Sequence, residues 1–137
     1  MYGILDISTS GLIAQRTRLE VAATNMANSE TLLNEAGEYE PFRRRFAVLA
    51  AGDPGSGSDS SRLGVHVAQI ATADGPLHRK YEPDSPFADA DGYVGYPNIN
   101  TVTESMNAME AARAYEANIT VIEATKSMIT VALQIIA

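Results

Sequence analysis

The chain has 137 residues, 45% hydrophobic and 20% charged, with a net charge of −7 and no cysteine. That length sets a single domain with a modest core, and the missing cysteine excludes a disulfide framework, a thiolate metal site and a cysteine nucleophile. The acid excess is spread as −1 over residues 1–30, −4 over 31–100 and −2 over 101–137, and no basic stripe offers itself to nucleic acid.

The first segment places Leu5, Leu12, Leu19 and Met26 seven residues apart, with Arg16, Arg18 and Glu20 off that line. This spacing predicts an amphipathic helix with a narrow apolar seam. Ser8-Thr9-Ser10-Gly11 weakens its first turns, because glycine costs about 1 kcal/mol against alanine inside a helix. The helix is expected to be firm from about Leu12, labile before it, and to stop near Asn28, where turn residues begin. No apolar core or small-residue cleavage site follows the N-terminus, and Asp6 stands where a secretory signal carries positive charge. The expectation is a chain that stays in the cytoplasm or leaves by a route without a cleaved signal. No stretch approaches the roughly 20 apolar residues of a membrane span.

The middle reads as strands and loops. Phe42–Leu49 is a candidate strand, and Leu63, Val65 and Val67 alternate with polar or small residues in the half-buried strand pattern. Gly52–Ser61 is a low-complexity run of Gly, Ser, Asp and Pro, expected to be a flexible loop. Leu77–Tyr81 is a further extended piece after the Asp74-Gly75-Pro76 turn. The prolines between Pro83 and Pro97 exclude a helix there, and Phe87, Tyr93 and Tyr96 are placed to pin that stretch down. Arg43-Arg44-Arg45 reads as a solvated strand edge, with a docking patch for an acidic partner as the alternative.

The last segment carries the strongest pattern. Ala112, Tyr115, Ile119, Ile122, Lys126, Ile129, Leu133 and Ile136 step by 3, 4, 3, 4, 3, 4, 3, a heptad ladder with one charged intruder, Lys126. Val121, Met128, Val131 and Ile135 make the final turns apolar almost all round. A helix over Val102–Ile136 would be roughly 50 Å long at 1.5 Å per residue. A globule of this size has a radius of gyration of about 14 Å, so burying that helix end calls for neighbours. Glu104, Glu110, Glu116 and Glu123 read as a solvated or intersubunit face, with Glu110–Arg113 and Glu123–Lys126 as i, i+3 pairs.

Little here suggests chemistry. Asp89-Ala90-Asp91-Gly92 has the core of a calcium loop, but an EF-hand count puts Phe87 and Asn98 where carboxylates are required. An Asx-type turn is the simpler reading. His66 and His78 form no metal-ligand spacing, and no nucleophile elbow, phosphate-cradling loop or dinucleotide fingerprint exists. No catalytic, cofactor-binding or metal residue is assigned. The competing classes are a small calcium-dependent or hydrolytic enzyme using Asp89 and Asp91, and an all-helical binding module, which conflicts with the strand-like middle.

Asp6–Leu19 and Thr24-Asn25-Met26-Ala27-Asn28 resemble the N-terminal signature of the bacterial flagellar rod and hook proteins. Asp89–Asn100, Glu110–Asn118 and Thr125–Met128 continue the resemblance, which covers residues 4–30 and about 74–137. The motif positions are Asn25, Asn28, Asp91, Gly92, Tyr93, Pro97, Asn98, Tyr115 and Asn118. Ser29-Glu30-Thr31 departs from the family's usual Ala-Asn-Thr, and residues 33–62 match poorly. The short length fits a proximal-rod member, since hook and distal-rod relatives carry larger inserted domains.

The resemblance implies an α+β fold with long terminal helices pairing as a coiled coil and a small β-rich middle. Residues 1–30 would be the N-terminal helical segment of a rod core, 31–100 the middle region with its linker near 52–61, and 101–137 the C-terminal helix. The implied assembly interface is Leu5, Leu12, Leu19, Met26, Ala112, Tyr115, Ile119, Ile122, Ile129, Leu133 and Ile136. The resemblance further implies terminal segments that fold on assembly, export through the flagellar type III apparatus, and a place in the rod that spans the periplasm. Implied partners are copies of the chain, other proximal and distal rod proteins, the rod–export-gate adaptor and the export apparatus. Neither nucleic acid nor direct membrane insertion is implied, and no cofactor is.

Overall fold

Asn100 fixes where the longest element begins. Its Oδ1 accepts the backbone N–H groups of Val102 (3.0 Å) and Thr103 (3.1 Å), satisfying donors that no earlier carbonyl can reach. From there α2 runs over Thr101–Ile136, about 54 Å at the helical rise. The chain is described in a computed structural model, which covers residues 2–52 and 64–136. The loop expected at Gly52–Ser61 lies outside the described residues beyond Gly52, as does Leu63. The other helix, α1, spans Tyr2–Ala27 and passes unbroken through Ser8–Gly11. It ends where Asn28 Nδ2 donates to the Thr24 carbonyl (2.9 Å) and Ser29 Oγ to that of Met26 (2.9 Å). Each side chain thus adds a second bond to a carbonyl that its own backbone N–H already reaches, at 3.1 and 3.3 Å.

Between the helices lie β1 (Arg45–Ala51), β2 (Val65–Thr72), β3 (His78–Tyr81) and β4 (Tyr93–Tyr96). They form two separate antiparallel pairs, β1 with β2 and β3 with β4. The first pair runs from Arg45 opposite Thr72 to Ala51 opposite Val65, with a bulge between Val48 and Leu49. The fold is therefore α+β, two helices with small antiparallel sheets, and an all-helical module is excluded. β1 starts three residues after the expected Phe42. β4 falls in a stretch read only as non-helical.

The helices pack side by side and antiparallel. Asn25 meets Glu104, Arg18 meets Glu110, and Gly11 faces Asn118. The β1–β2 hairpin lies along α1: Asn25 holds Arg45 at one end, and Ser10 Oγ accepts the Val65 N–H (3.1 Å) at the other. The facing pairs place Thr125 opposite the first turn of α1. The last two turns of α2 thus extend past the start of α1 with no described element beside them.

A short turn over 33–39 ties the second hairpin down. The Tyr39 hydroxyl donates to the Gly95 carbonyl (2.9 Å) and accepts the Gly95 N–H (3.0 Å), and its ring stacks on Phe87 at 5.4 Å. Glycine at position 95 leaves room for this, since a Cβ there would sit 2.9 Å from Leu77 Cδ1 and 3.1 Å from the Tyr39 hydroxyl, and both would have to shift. Gly95→Ala should push Tyr39 off its two backbone partners and cost about 1–3 kcal/mol. Urea unfolding should show it as an earlier midpoint, whereas an unchanged midpoint would mean Tyr39 does not anchor β4.

Candidate assembly interface

The contact between the helices is made by small and polar side chains. On α1 the buried positions are Ser8, Gly11, Ala14, Ala22 and Asn25; on α2 they are Glu104, Ala111 and Thr125. With Asn118, the α2 set recurs every seven residues. A Cβ on Gly11 would come within 3.0 Å of Asn118 Nδ2, so the missing side chain is what lets the backbones approach. The larger residues flank this line. Leu5, Leu12, Leu19, Met26, Ala112, Tyr115, Ile122 and Ile129 are all half-buried, and Ser105 Oγ reaches Met26 Sδ at 3.4 Å.

Other positions on the expected ladder face outward. Ile119, Lys126 and Leu133 are exposed, and the side chain of Ile136 lies outside the described residues. A second line of exposed apolar groups follows the face of α2 turned away from α1: Val102, Met106, Met109, Met128, Val131 and Ile135, the last 80% exposed. Exposed apolar surface of this extent on a small chain marks a contact face, and methionine suits it because its unbranched side chain adapts to irregular partners.

At the other end of the pair, three elements meet in a buried polar joint. Asn25, 0% exposed, donates Nδ2 protons to the Arg45 carbonyl (2.7 Å) and to Glu104 Oε2 (2.8 Å), while its Oδ1 accepts the Arg45 N–H (2.9 Å). Its amide thus pairs with β1 as another strand's backbone would. Glu104, 2% exposed, accepts a hydrogen bond at Oε1 from Arg44 Nε (2.8 Å), and a terminal nitrogen of the same guanidinium lies 2.8 Å from that oxygen as an ion pair. Buried charge is tolerated only when paired and hydrogen-bonded in this way. Two expectations change. Glu104 is not on a solvated face, because its carboxylate is what Asn25 and Arg44 bind. Arg44 is not a free strand-edge charge, although Arg43 and Arg45 beside it are exposed, Arg43 bonding the Gly75 carbonyl and Arg45 lying over Phe42. Glu110 pairs with Arg18 across the helices (3.4 Å), and Glu110–Arg113 and Glu123–Lys126 are not among the described ion pairs.

The Asp89–Gly92 stretch is an Asx turn. Asp89 Oδ1 accepts the backbone N–H groups of Asp91 (3.0 Å) and Tyr93 (2.9 Å), and Gly92 adopts φ +79°. Asp91 and Asn98 are exposed, Tyr93 packs edge-on against Tyr81 at 5.3 Å, and Pro97 is buried. No group of metal-ligating side chains occurs among the described residues.

Charge locks the second hairpin. Asp89 is held below its ordinary value of 3.8, mainly by the Tyr93 N–H and also by Arg79 at 2.5 Å; Glu82 is held below 4.5 by Lys80 (2.6 Å) and the Tyr96 hydroxyl (2.8 Å). Glu82 in turn raises Lys80. A carboxylate with a depressed folded-state pKa contributes stability at neutral pH and loses it as pH falls through that value. Acidification below the ordinary carboxylate range should therefore loosen β3–β4. An NMR titration should show Tyr93 and Tyr96 shifting there, while ring signals indifferent to pH down to about 2.5, well under the ordinary carboxylate values, would contradict the lock.

Two family descriptions match the helical ends: "Flagella basal body rod protein" over residues 5–31 and "Flagellar basal body rod FlgEFG protein C-terminal" over 90–135. A flagellar basal-body rod protein FlgC from Salmonella typhimurium is 41% identical over 128 residues, spanning 93% of this chain and 92% of its own length. This chain belongs to the FlgC family of flagellar basal-body rod proteins. FlgC of Bacillus subtilis is 36% identical over 142 residues, covering 96% of this chain and 95% of that protein. FlgC of an Escherichia coli O6:H1 strain is 41% identical over 131 residues, covering 93% of this chain and 92% of that protein. The FlgC family is structural, and this chain is a structural protein of the flagellar basal body, not an enzyme. The first matched segment takes in α1 from Leu5 with its C-terminal turn, Asn25 included, and the second takes in β4 and α2 as far as Ile135, Glu104 included. Neither described helix is long and apolar enough to cross a membrane.

Proposed function

We propose that this chain is a subunit of the proximal rod, assembling helically with its own copies and with other rod proteins through its two terminal helices. Residues 1–30 and 101–137 serve as the rod core and 31–100 as the middle region. In the rod, the helices of each copy pack as coiled coils against those of its neighbours. Such a contact is heterologous, so it propagates instead of closing as a dimer. The assembled subunits form the shaft that carries motor torque across the periplasm and encloses the export channel. The chain reaches it through the flagellar type III apparatus without a cleaved signal, and meets the rod–export-gate adaptor and the distal rod at its ends.

The observation that carries this reading is the outward apolar line on α2, from Val102 to Ile135, on a chain whose closely packed seam uses other residues. Intact-mass spectrometry of purified basal bodies tests it. The reading expects the chain there with its N-terminal end uncleaved. Its presence only in the soluble cytoplasm of flagellated cells would contradict it.

A further inference from the structure

Three of the chain's ten lysines and arginines line one cavity. Arg18 of α1 meets Arg44 and Arg45, where β1 begins, and with Phe46, Glu104 and Asn107 they surround a space of about 190 Å³. Glu104 is the one acid among the lining residues, and Asn25 and Arg44 already bind it. Arg18 reaches Glu110 only at 3.4 Å, and that carboxylate is 70% exposed. The Arg45 guanidinium lies 5.2 Å over the Phe42 ring, and the residue is exposed. The cavity therefore carries an excess of positive charge in a chain whose net charge is −7. Guanidinium groups so placed suit a carboxylate, whose two oxygens match their fork of donors.

The same chain offers such carboxylates. At 3.6 residues per turn, a position two before a seam residue lies roughly 200° round the helix from it, on the side away from α1. Glu116 stands two before Asn118 and Glu123 two before the buried Thr125, in the row of Met109, which stands two before the buried Ala111; both glutamates are exposed. The outward face of α2 thus carries two carboxylates between its apolar groups at Val102–Met109 and Met128–Ile135. A carboxylate enclosed by a packed contact needs a cation. We propose that the cavity of Arg18, Arg44 and Arg45 is a socket for this row on a second copy of the chain, taking Glu116 or Glu123. The proposal rests on the rod-subunit reading, which makes the outward face of α2 a contact between copies, and adds which surface of the neighbour that face meets. The docking alternative for Arg43-Arg44-Arg45 returns in this form, with Arg18 in place of Arg43. Socket and row are different surfaces of one chain, so the contact is head-to-tail and repeats from copy to copy.

Charge exchange in cells lacking their own copy of the protein tests this. Glu116→Arg combined with Glu123→Arg alters only exposed helix surface, so urea unfolding of the free chain should stay nearly unchanged. The same pair should cut the yield of basal bodies with complete rods at least about tenfold, since like charges facing each other across a contact cost that much or more in affinity. Arg45→Glu alone should do likewise, and the triple variant should recover rods. Normal rods in the glutamate pair or in Arg45→Glu would overturn the socket, as would a triple variant no better than its parents. A second readout needs no reversed charge. The chain has no cysteine, so Phe46→Cys combined with Glu116→Cys or with Glu123→Cys should give disulfide-linked copies in oxidised basal bodies. Monomer alone, in basal bodies that contain the chain, would contradict the contact. Absence of the unaltered chain from basal bodies would instead defeat the rod-subunit reading, whereas its presence there with no effect of charge exchange defeats the socket alone.

Discussion

Asn25→Asp should destabilise the free chain by about 3–5 kcal/mol, a large part of the 5–15 kcal/mol that holds a domain of this kind together. The substitution keeps the shape and removes both donors. The Arg45 carbonyl then faces an oxygen, and a second carboxylate is set 2.8 Å from Glu104 in a site that water does not reach. Arg44 already directs its guanidinium to Glu104. Part of the loss should return at low pH, where a protonated carboxyl at position 25 regains one donor. Chemical unfolding of this variant and of the parent chain at about pH 7 and about pH 3, above and below the ordinary carboxylate values, measures both effects. A cost under about 1 kcal/mol at neutral pH, no more than one ordinary hydrogen bond, would mean that the joint of α1, α2 and β1 is not what fixes the helices on the hairpin.

Ile122→Asp should abolish swimming and leave no rods in the membrane fraction, while the free chain stays soluble and nearly as stable as before. Ile122 is half-buried on the α2 seam, within the portion that no described strand supports. In the free chain an aspartate there can turn to water. In a packed rod it cannot, and an unpaired buried charge costs several kcal/mol. Every copy carries that cost, so the effect on a helical assembly multiplies along its length. Motility on soft agar and electron microscopy of basal bodies read the outcome; a swimming mutant would remove Ile122 from the packed interface.

Both helices were legible because their large apolar residues recur at helical spacing over many turns. Which residues touch was not. Periodicity reports Leu5, Leu12, Leu19 and Met26, yet the buried positions are Ser8, Gly11, Ala14, Ala22 and Asn25. Small residues allow close packing and contribute almost nothing to an apolar pattern. Glu104 was misread for a related reason. A charged residue on a helix is usually solvated, and only the arrival of Asn25 and Arg44, distant in sequence, makes its burial tolerable. The interval of 79 residues between Asn25 and Glu104 leaves no local trace. β4 escaped because four residues between prolines are too few for alternation to show, and its partner β3 was itself weakly marked. The Asx turn at Asp89 was legible because its bonds are all within four residues.

Contact between the exposed face of α2 and other rod subunits is most directly read by photo-crosslinking. A benzoylphenylalanine is placed at Ile135, the most exposed of the large apolar residues described, in cells lacking their own copy of the protein. Illumination of purified basal bodies should give adducts whose mass equals this chain joined to a second copy or to another rod protein. Intact basal bodies containing the chain but yielding no adduct at Ile135, Met128 or Met106 would contradict the account.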